Sequence, residues 1–338
     1  MDRKPNVVQV GAAVLAAALG LRLLAGGLLQ PVWALLTRPE TTAVLLYLES
    51  GRVVDYHQAL NYPMESPIPT AAPPAPVSKK EAPAFGAEDL EKVEVDWDFP
   101  PVEDVPVLME QELDWALDDG QPRVLILHTH GTECYTRQEG EDFELQPNYR
   151  TLDEDYNMLS IGAEVCRVLE EAGIRTVQDR EIHDYPSFNS SYSNAREATD
   201  SHLRQYPTVS LVLDLHRDAA DTPTGQMDTS ARVNGREAAQ LMLVVGSDAG
   251  GLEHPGWQNN LAMGLKLQAT LEKLYPGLCR PLNVCTMRFN EDLSPGALLI
   301  EVGAAGNSHE EAMVAARALA EGIIALAGGA NLTEDSAS

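Results

Sequence analysis

The sequence predicts an α/β domain, a mostly parallel central sheet of about six strands with helices on both faces. Two patterns support this prediction. Short apolar runs of strand length alternate along the chain with longer segments of helical character, and such alternation is typical of parallel sheets covered by helices. The apolar runs are continuous, as expected for strands that are buried on both faces.

The predicted elements all fall between residues 123 and 328, a length that can bury a sizeable core in one domain. The strands are Val124–His128, Arg175–Gln178, Ser210–His216, Leu241–Val245, Asn283–Thr286 and Ala297–Val302. The helices are Asn157–Ala172, Ser191–Tyr206, Asn259–Tyr275 and His309–Ala327. Gly173 follows the first helix and Pro276-Gly277 follows the third, and both are expected helix stop signals.

Residues 1–36 are predicted to be a short cytoplasmic tip followed by a transmembrane helix. Met1–Lys4 is basic and Val7–Leu36 is almost wholly apolar, whereas a membrane span needs about 20 apolar residues. Arg22 interrupts the run, so the span is expected to end near Leu29. The basic start favours a cytoplasmic N-terminus. A cleaved signal peptide is the alternative, although no clear small-x-small cleavage site follows.

Residues 37–122 are predicted to be a largely irregular, extracytoplasmic stalk. The stretch NYPMESPIPTAAPPAPV is rich in proline, and Ala87–Gly120 carries 13 acidic residues and one lysine. Apolar side chains within this acidic stretch could still dock on the following domain. The net charge of −27 argues against nucleic acid as a partner, because phosphate contacts require a basic surface. Residues 329–338 are expected to be a disordered tail.

Two of the predicted strands end in histidines. The segment RVLILHTHGTE brings His128, His130 and Glu133 to the end of the first strand, and VSLVLDLHRD brings His216 to the end of the third. Open α/β sheets place their functional sites at the carboxyl ends of the strands. Histidine and glutamate are the residue types that bind catalytic zinc. The sequence therefore points to a metal site at this edge of the sheet.

Glu301 lies inside the apolar strand ALLIEV. A buried carboxylate costs several kcal/mol unless it is paired or lies near a metal ion. Two explanations stay open at this point, namely a place in the metal site and a buried salt bridge.

Six segments resemble the stage II sporulation protein P family, the membrane-anchored cell-wall hydrolases of endospore formers. They follow the family's order and are HTHGTECY (128–135), DYNMLSIGAEV (155–165), REIHDYPSFNSSYSNAREAT (180–199), DLHRD (214–218), HPGWQNNLAMGLKLQATLEKLYPGLCRPL (254–282) and EVGAAGNSHEEA (301–312). The family is similar to zinc-dependent N-acetylmuramoyl-L-alanine amidases. The resemblance implies an amidase-like fold and cleavage of the bond between the lactyl group of peptidoglycan and its stem peptide, with an added endopeptidase activity. Cys134 departs from the family pattern, in which a serine is expected.

The resemblance also implies a set of Zn²⁺ ligands. His216 is one expected ligand. Alignment with the amidase pattern makes His130 a second ligand, and His128 is then either a further ligand or a residue next to the metal site. The third ligand is a glutamate, for which two candidates stay open. Glu154 aligns with the start of the first long helix, and Glu133 is close to the histidines in sequence.

Glu301 corresponds in this resemblance to the catalytic glutamate, which accepts the proton of a water molecule and delivers it to the departing amine. The candidate substrate-binding residues are Arg217, Asp218, Asp184, Tyr192, Arg196 and Asn307. Each of them is also consistent with a purely structural role. The sequence contains no Gly-x-Ser-x-Gly elbow, P-loop or Gly-x-Gly-x-x-Gly motif, so other common catalytic routes have less support.

The expected location is the cell membrane, which the chain crosses once, with the catalytic domain outside the cytoplasm in the space between the two membranes of the sporangium. The resemblance implies peptidoglycan as substrate, with stage II sporulation protein D and other engulfment proteins as partners. A membrane-tethered scaffold with a degenerate site is the alternative function. Cys279 and Cys285 are close enough in sequence to form a disulfide in an oxidising exterior.

Overall fold

A central sheet organises the computed structural model of the chain, which describes residues 85, 87–101, 104–111, 120–222 and 225–328. These residues belong to one compact unit, residues 73–338. The predicted anchor (1–36), much of the predicted stalk and the predicted tail (329–338) lie outside the described residues. Among the helices that are described, none is long and apolar enough to cross a bilayer.

Within the described ranges, seven strands form the central sheet in the order β1-β10-β9-β11-β4-β2-β3. All neighbouring pairs are parallel except β9 and β11, so the prediction of a mostly parallel sheet is confirmed. Two short hairpins, β5–β6 and β7–β8, lie outside the sheet. The strands are β1 (Val95–Trp97), β2 (Val124–Leu127), β3 (Thr176–Gln178), β4 (Leu211–Asp218), β5 (Asp221–Thr222), β6 (Gly225–Gln226), β7 (Ala231–Val233), β8 (Arg236–Ala238), β9 (Leu241–Gly246), β10 (Leu282–Cys285) and β11 (Ala297–Ala304).

The long helices cover both faces of the sheet, as predicted. Helices α3, α5 and α6 bury the larger core on one face, whereas α4 packs through Ala195 and Leu203 on the other. The helices are α1 (Ala87–Leu90), α2 (Val105–Glu110), α3 (Met158–Glu171), α4 (Ser191–Gln205), α5 (Trp257–Leu274) and α6 (His309–Leu326), with 3₁₀ turns at Phe188–Ser190 and Glu291–Leu293. The six predicted strands and four predicted helices match observed elements to within two residues at each end.

Local signals in the sequence explain where the helices begin and end. The side chain of Asn157 accepts a hydrogen bond from the amide of Leu159 at the start of α3, and Gly173 follows its end at φ 86°. Ser308 and Glu311 form a capping box at the start of α6. These caps pair backbone groups that the helix itself leaves unsatisfied.

The domain begins earlier than the predicted boundary at residue 123. Strand β1 pairs in parallel with β10, and the rings of Trp97, Phe99 and Trp257 make edge-to-face contacts. Leu108 and Met109 of α2 are buried. From Val93 to Phe99 the apolar side chains are half-buried and alternate with exposed Glu94, Asp96 and Asp98. The acidic composition concealed a strand because the acids occupy only its solvent face.

All four cysteines lie in the described part of the chain, and all four are free. The predicted disulfide between Cys279 and Cys285 is therefore wrong. Cys279 precedes strand β10 and Cys285 ends it, so extended backbone separates the two thiols.

Candidate active site

The candidate site is organised by Glu301 and His216, which are register partners on the adjacent parallel strands β11 and β4. Partners in neighbouring strands project their side chains from the same face, and strands lie about 4.8 Å apart. Here that face is the one covered by α4, because Leu213 and Leu215 occupy the opposite face with the larger core. His216 is buried, and Oε2 of Glu301 is enclosed without a hydrogen-bond partner among the described residues.

His130 and Glu133 follow β2 and lie against the same imidazole. The rings of His130 and His216 meet edge to face with their centroids 5.2 Å apart. Oε2 of Glu133 lies 3.8 Å from Nδ1 of His216. Nδ1 of His130 is buried, lies 3.9 Å from Oδ2 of Asp184 and has no hydrogen-bond partner among the described residues. Two imidazoles and two carboxylates thus converge at the carboxyl ends of three strands.

Asp214 contacts both histidine-bearing segments of the site. Its carboxylate accepts hydrogen bonds from the amide and hydroxyl of Thr129, at 2.8 and 2.6 Å, and so ties the segment after β2 to β4. Oδ1 of Asp214 also lies 3.1 Å from Nε2 of His216. That pair is not aligned as a hydrogen bond, and Nε2 of His216 has no other partner in the described part of the chain.

The electrostatics of the metal-free site favour retained protons on His216 and Glu301. Burial by itself lowers the pKa of His216, but the carboxylates of Asp214, Glu133 and Glu301 outweigh it and raise the pKa to about 9. Burial raises the pKa of Glu301 to about 8, against the opposing influence of His216. Both groups therefore hold a proton over a pH range in which ordinary glutamate and histidine side chains have lost theirs.

His130 behaves in the opposite way. Burial, the neighbouring His216 and the guanidinium of Arg150 lower the pKa of His130 to about 3. Its imidazole is consequently neutral at physiological pH. A neutral imidazole with a free ring nitrogen is the form of histidine that binds metal ions.

The structure does not bring His128 into this group. Alternation along β2 turns its side chain towards the face covered by α3, where Nδ1 lies 3.4 Å from the carbonyl oxygen of Leu215 and Nε2 lies 3.1 Å from Nε2 of Gln178. The ring packs on Gly162 of α3, where a Cβ atom would lie only 2.4 Å from Nε2. Both ring nitrogens of His128 therefore face protein atoms.

Glu154 also lies apart from the histidines. Its side chain is half exposed and forms an ion pair with Arg180. It precedes α3, which begins only at Met158, so its carboxylate is at the surface. Of the two glutamates considered as ligands, Glu133 is the one that the structure brings next to His216.

Two of the six candidate substrate-binding residues lie beside His130. Asp184 accepts hydrogen bonds from the hydroxyl of Thr132, at 2.6 Å, and from Arg150. The ring of Tyr192 meets that of His130 edge to face at 5.5 Å.

Arg217 and Asn307 are instead engaged inside the protein. Arg217 is buried and donates hydrogen bonds to the carbonyl oxygens of Cys134, Asn148 and Tyr149. The side chain of Asn307 accepts from the amide of Thr229 and donates to its carbonyl oxygen. Their polar groups brace loops around the site.

Asp218 and Arg196 form ion pairs with other parts of the domain. Asp218 pairs with Arg280 at 2.7 Å, and Arg196 makes two hydrogen bonds of 2.8 and 2.7 Å to Asp292. The second pair joins α4 to the 3₁₀ turn before β11. Both side chains are thus engaged by partners within the domain.

Sequence reasoning did not identify Arg150 and Phe188, which complete the rim of the site. Arg150 bridges Asp184 and Glu133, with Nη2 3.4 Å from Oε1 of Glu133. The ring of Phe188 is 52% exposed, stacks on His130 at 4.6 Å and lies 4.7 Å from the guanidinium carbon of Arg150. Neither lies on a strand end, so no periodicity in the sequence marked them.

The chemistry of the donors suits zinc, since two buried imidazoles and Glu133 form a nitrogen and oxygen ligand set. The unpartnered ring nitrogens of His130 and His216 are consistent with ligation. Across the residues that the structure describes, however, no group of three or more His, Cys, Asp or Glu side chains is spaced as a metal site. The donors are neighbours without forming a closed ligand shell.

The fold and site define an α/β domain with a buried histidine and glutamate cluster at a sheet edge. The family profile described as "Stage II sporulation protein P (SpoIIP)" matches residues 54–324. The chain belongs to this family.

Among curated proteins, the chain is 28% identical over 293 residues to "Stage II sporulation protein P" of Bacillus subtilis (strain 168). The match covers 83% of this chain and 64% of that protein, so the chain spans about two thirds of the length of its relative.

Solved structures with some likeness include two bacterial amidases. N-acetylmuramoyl-L-alanine amidase AmiC2 of Nostoc punctiforme is 16% identical with a TM-score of 0.36, covering 60% of this chain and 95% of that one. The apo N-acetylmuramyl-L-alanine amidase Ami1 from Mycobacterium abscessus is 14% identical with a TM-score of 0.38, covering 61% and 99%. Scores this low do not bear on the activity of the chain.

Proposed function

We propose that this chain is a zinc-dependent peptidoglycan hydrolase, an N-acetylmuramoyl-L-alanine amidase with an added endopeptidase activity, that remodels the septal wall during engulfment. The observation that carries the proposal is the cross-strand pair of Glu301 and His216, with His130 against the same ring. Membership of the SpoIIP family supports the substrate and the setting.

His130, His216 and Glu133 would hold the metal ion. Catalytic zinc takes three protein ligands and keeps one position open for water or substrate. When bound, zinc supplies Lewis acidity, which lowers the pKa of a coordinated water to about 7 and polarises the scissile carbonyl. Thr129 and Asp214 keep the two histidine-bearing segments together.

Glu301 moves the proton. Its carboxylate accepts a proton from the attacking water as the water oxygen forms a bond to the carbonyl carbon. The carbon–nitrogen bond to the stem peptide then breaks, and Glu301 returns the proton to the departing amine. Glu301 is suited to this role because it is partly accessible to solvent while one of its oxygens is enclosed without a partner among the described residues.

The test is hydrolysis of purified peptidoglycan by the full chain in detergent, with zinc measured in the same sample. Freed stem peptides in the mass spectrum indicate amidase activity, whereas cleaved cross-links indicate endopeptidase activity. Glu301→Gln is expected to retain zinc and to lose hydrolysis. Glu171→Gln is the matched control. Glu171 is an exposed residue of α3 that pairs with Arg167, and this variant should hydrolyse peptidoglycan like wild type.

Two outcomes would contradict the proposal. Normal turnover by Glu301→Gln would remove this carboxylate from the mechanism. A folded wild-type chain that binds no zinc and releases no product would instead favour the alternative of a membrane-tethered scaffold that recruits other wall enzymes.

The setting is part of the same proposal. Residues 1–36 anchor the chain in the cell membrane by a single span, with the domain outside the cytoplasm, between the membranes of the sporangium. Peptidoglycan is the substrate, and stage II sporulation protein D is the expected partner. Fractionation of cells with and without residues 1–36 tests the anchor, because the truncated domain should leave the membrane fraction.

A further inference from the structure

Tyr192 occupies an unusual position for a tyrosine of this domain. It lies in the first turn of α4, where its ring meets His130 edge to face and lies parallel to His216 at a centroid distance of 6.5 Å. Its hydroxyl has no hydrogen-bond partner among the described residues. The phenol is thus held against both histidines of the site with its polar group unused.

Tyr192 is half-buried, so its hydroxyl can be hydrated and remains free to bind a substrate atom. A fully buried tyrosine instead uses its hydroxyl within the protein. Tyr135 illustrates this in the same molecule, because its hydroxyl donates a 2.7 Å hydrogen bond to the carbonyl oxygen of Val302. Tyr192 differs in leaving its hydroxyl available at the edge of the candidate site.

The ring of Tyr192 is fixed from several sides. In addition to the two histidines, Phe289 contacts it at a centroid distance of 5.7 Å. The side chain of Asn290 donates a 2.8 Å hydrogen bond to the backbone carbonyl of Tyr192 and holds the start of α4 in place. A donor on such a constrained ring loses little freedom when it binds a substrate atom, which is the condition for effective electrostatic stabilisation.

We propose that the hydroxyl of Tyr192 is a catalytic hydrogen-bond donor to the scissile carbonyl oxygen, which gains negative charge as water attacks. This inference rests on the proposed function and adds a residue role to it. A phenol is neutral and carries its proton at physiological pH, since its ordinary pKa is about 10. It can therefore donate to an oxyanion without itself transferring a proton.

The electron and proton balance is that of amide hydrolysis. Attack by the water oxygen breaks the carbonyl π bond and moves its electron pair onto the carbonyl oxygen, where Tyr192 donates its hydrogen bond. Glu301 takes the water proton. The electron pair then re-forms the carbonyl, the carbon–nitrogen bond breaks, and the amine nitrogen receives the proton from Glu301, while the proton of Tyr192 stays on its oxygen.

Tyr192→Phe tests the inference because it removes only the hydroxyl and keeps the ring contacts. Loss of one oxyanion donor typically lowers kcat by about 100-fold or more. We expect a fall of that order in kcat for a soluble muramyl-peptide substrate, with KM changed less than about twofold, because the bond strengthens only as charge develops.

Tyr206→Phe is the matched control. Tyr206 follows the last turn of the same helix, about 21 Å along its axis from Tyr192, and its hydroxyl only accepts a bond from Gln205. That variant should keep wild-type kcat. Two further measurements test for indirect effects, namely zinc affinity by calorimetry and binding of the muramyl peptide to the chelator-treated chain. Both should be equal in wild type and Tyr192→Phe.

The inference is overturned if Tyr192→Phe keeps wild-type kcat, or if it raises KM alone, which would indicate ordinary ground-state binding. A loss of zinc affinity in this variant would also overturn it, because the hydroxyl would then be acting through the metal site. Failure of the proposed function looks different. If the proposed function fails, wild type and Glu301→Gln hydrolyse peptidoglycan to the same extent, and the activity of Tyr192→Phe does not matter to that result.

Discussion

Glu301 stands directly opposite His216 in the register of two adjacent parallel strands, β11 and β4. The two residues are 85 positions apart in the chain, yet the sheet places them side by side on one face. This position brings the glutamate of an apolar strand into the candidate site, where Oε2 of Glu301 has no hydrogen-bond partner among the described residues.

The burial of Glu301 makes the stability of the domain without metal depend on pH. The pKa of Glu301 is raised to about 8 by burial, so the folded state holds a proton that the unfolded state releases near its ordinary pKa of 4.5. Stability is therefore fully present below about 4.5 and falls as pH rises through about 8. His216, with its pKa raised to about 9, adds a loss of the same sign above about 6.5.

Urea unfolding in chelator tests this as a difference between two proteins, because the lowered pKa values of His128 and His130 add a rise of the opposite sign to both. Between about pH 5 and 6.5, the slope of the unfolding free energy against pH should be more negative in wild type than in Glu301→Gln. An identical slope in both proteins would contradict the raised pKa of Glu301.

His128 and His130 should differ in what their substitution affects, namely protein stability for His128 and zinc binding for His130. His130→Ala is expected to abolish zinc binding and to cost less stability than His128→Ala, because His130 is less deeply buried and one of its ring nitrogens has no partner among the described residues. His128→Ala removes a fully enclosed ring and should cost about 2–4 kcal/mol of unfolding free energy while zinc still binds to the folded protein. Calorimetric titration with zinc and urea unfolding measure the two effects. Loss of zinc affinity in folded His128→Ala would restore that residue as a ligand.

The two glutamates offer a parallel comparison. Glu133→Gln is expected to weaken zinc binding by at least about tenfold, because a charged ligand is replaced by a neutral amide. Glu154→Gln should leave zinc affinity unchanged and alter stability by less than about 1 kcal/mol, since only an exposed pair with Arg180 is lost. The reverse ranking of the two variants would show that the helix-start glutamate reaches the metal.

The early boundary of the domain can be tested at Trp97. Trp97→Ala removes the ring that packs against Phe99 and Trp257 and should lower the unfolding free energy by about 3 kcal/mol. Asp96→Ala is the control from the exposed face of the same strand and should change it by less than about 0.5 kcal/mol. If both variants unfold like wild type, β1 contributes nothing to the stability of the sheet.

Most of the helices and strands could be predicted because their signals are local. The strands β2, β4 and β11 each begin with a short apolar run, and α3 and α6 carry caps within a few residues of their ends. The direction of β1, β9 and β10, which run opposite to the other four strands of the sheet, could not be predicted, because strand direction depends on which neighbours pair and not on the composition of the strand. β1 was missed because acidic residues on its exposed face dominate its composition.

The sequence by itself determined which chemistry is available, since imidazoles and carboxylates follow three apolar strands. Only the tertiary structure decided which of them meet. Composition does not distinguish His128 from His130 as a ligand. In the structure the backbone after β2 directs His128 into the core and His130 to the site. Glu133 and Tyr192 reach His216 from two separate segments, and Arg150 reaches Glu133 from a third. This proximity depends on long-range packing and leaves no periodic signal in the chain.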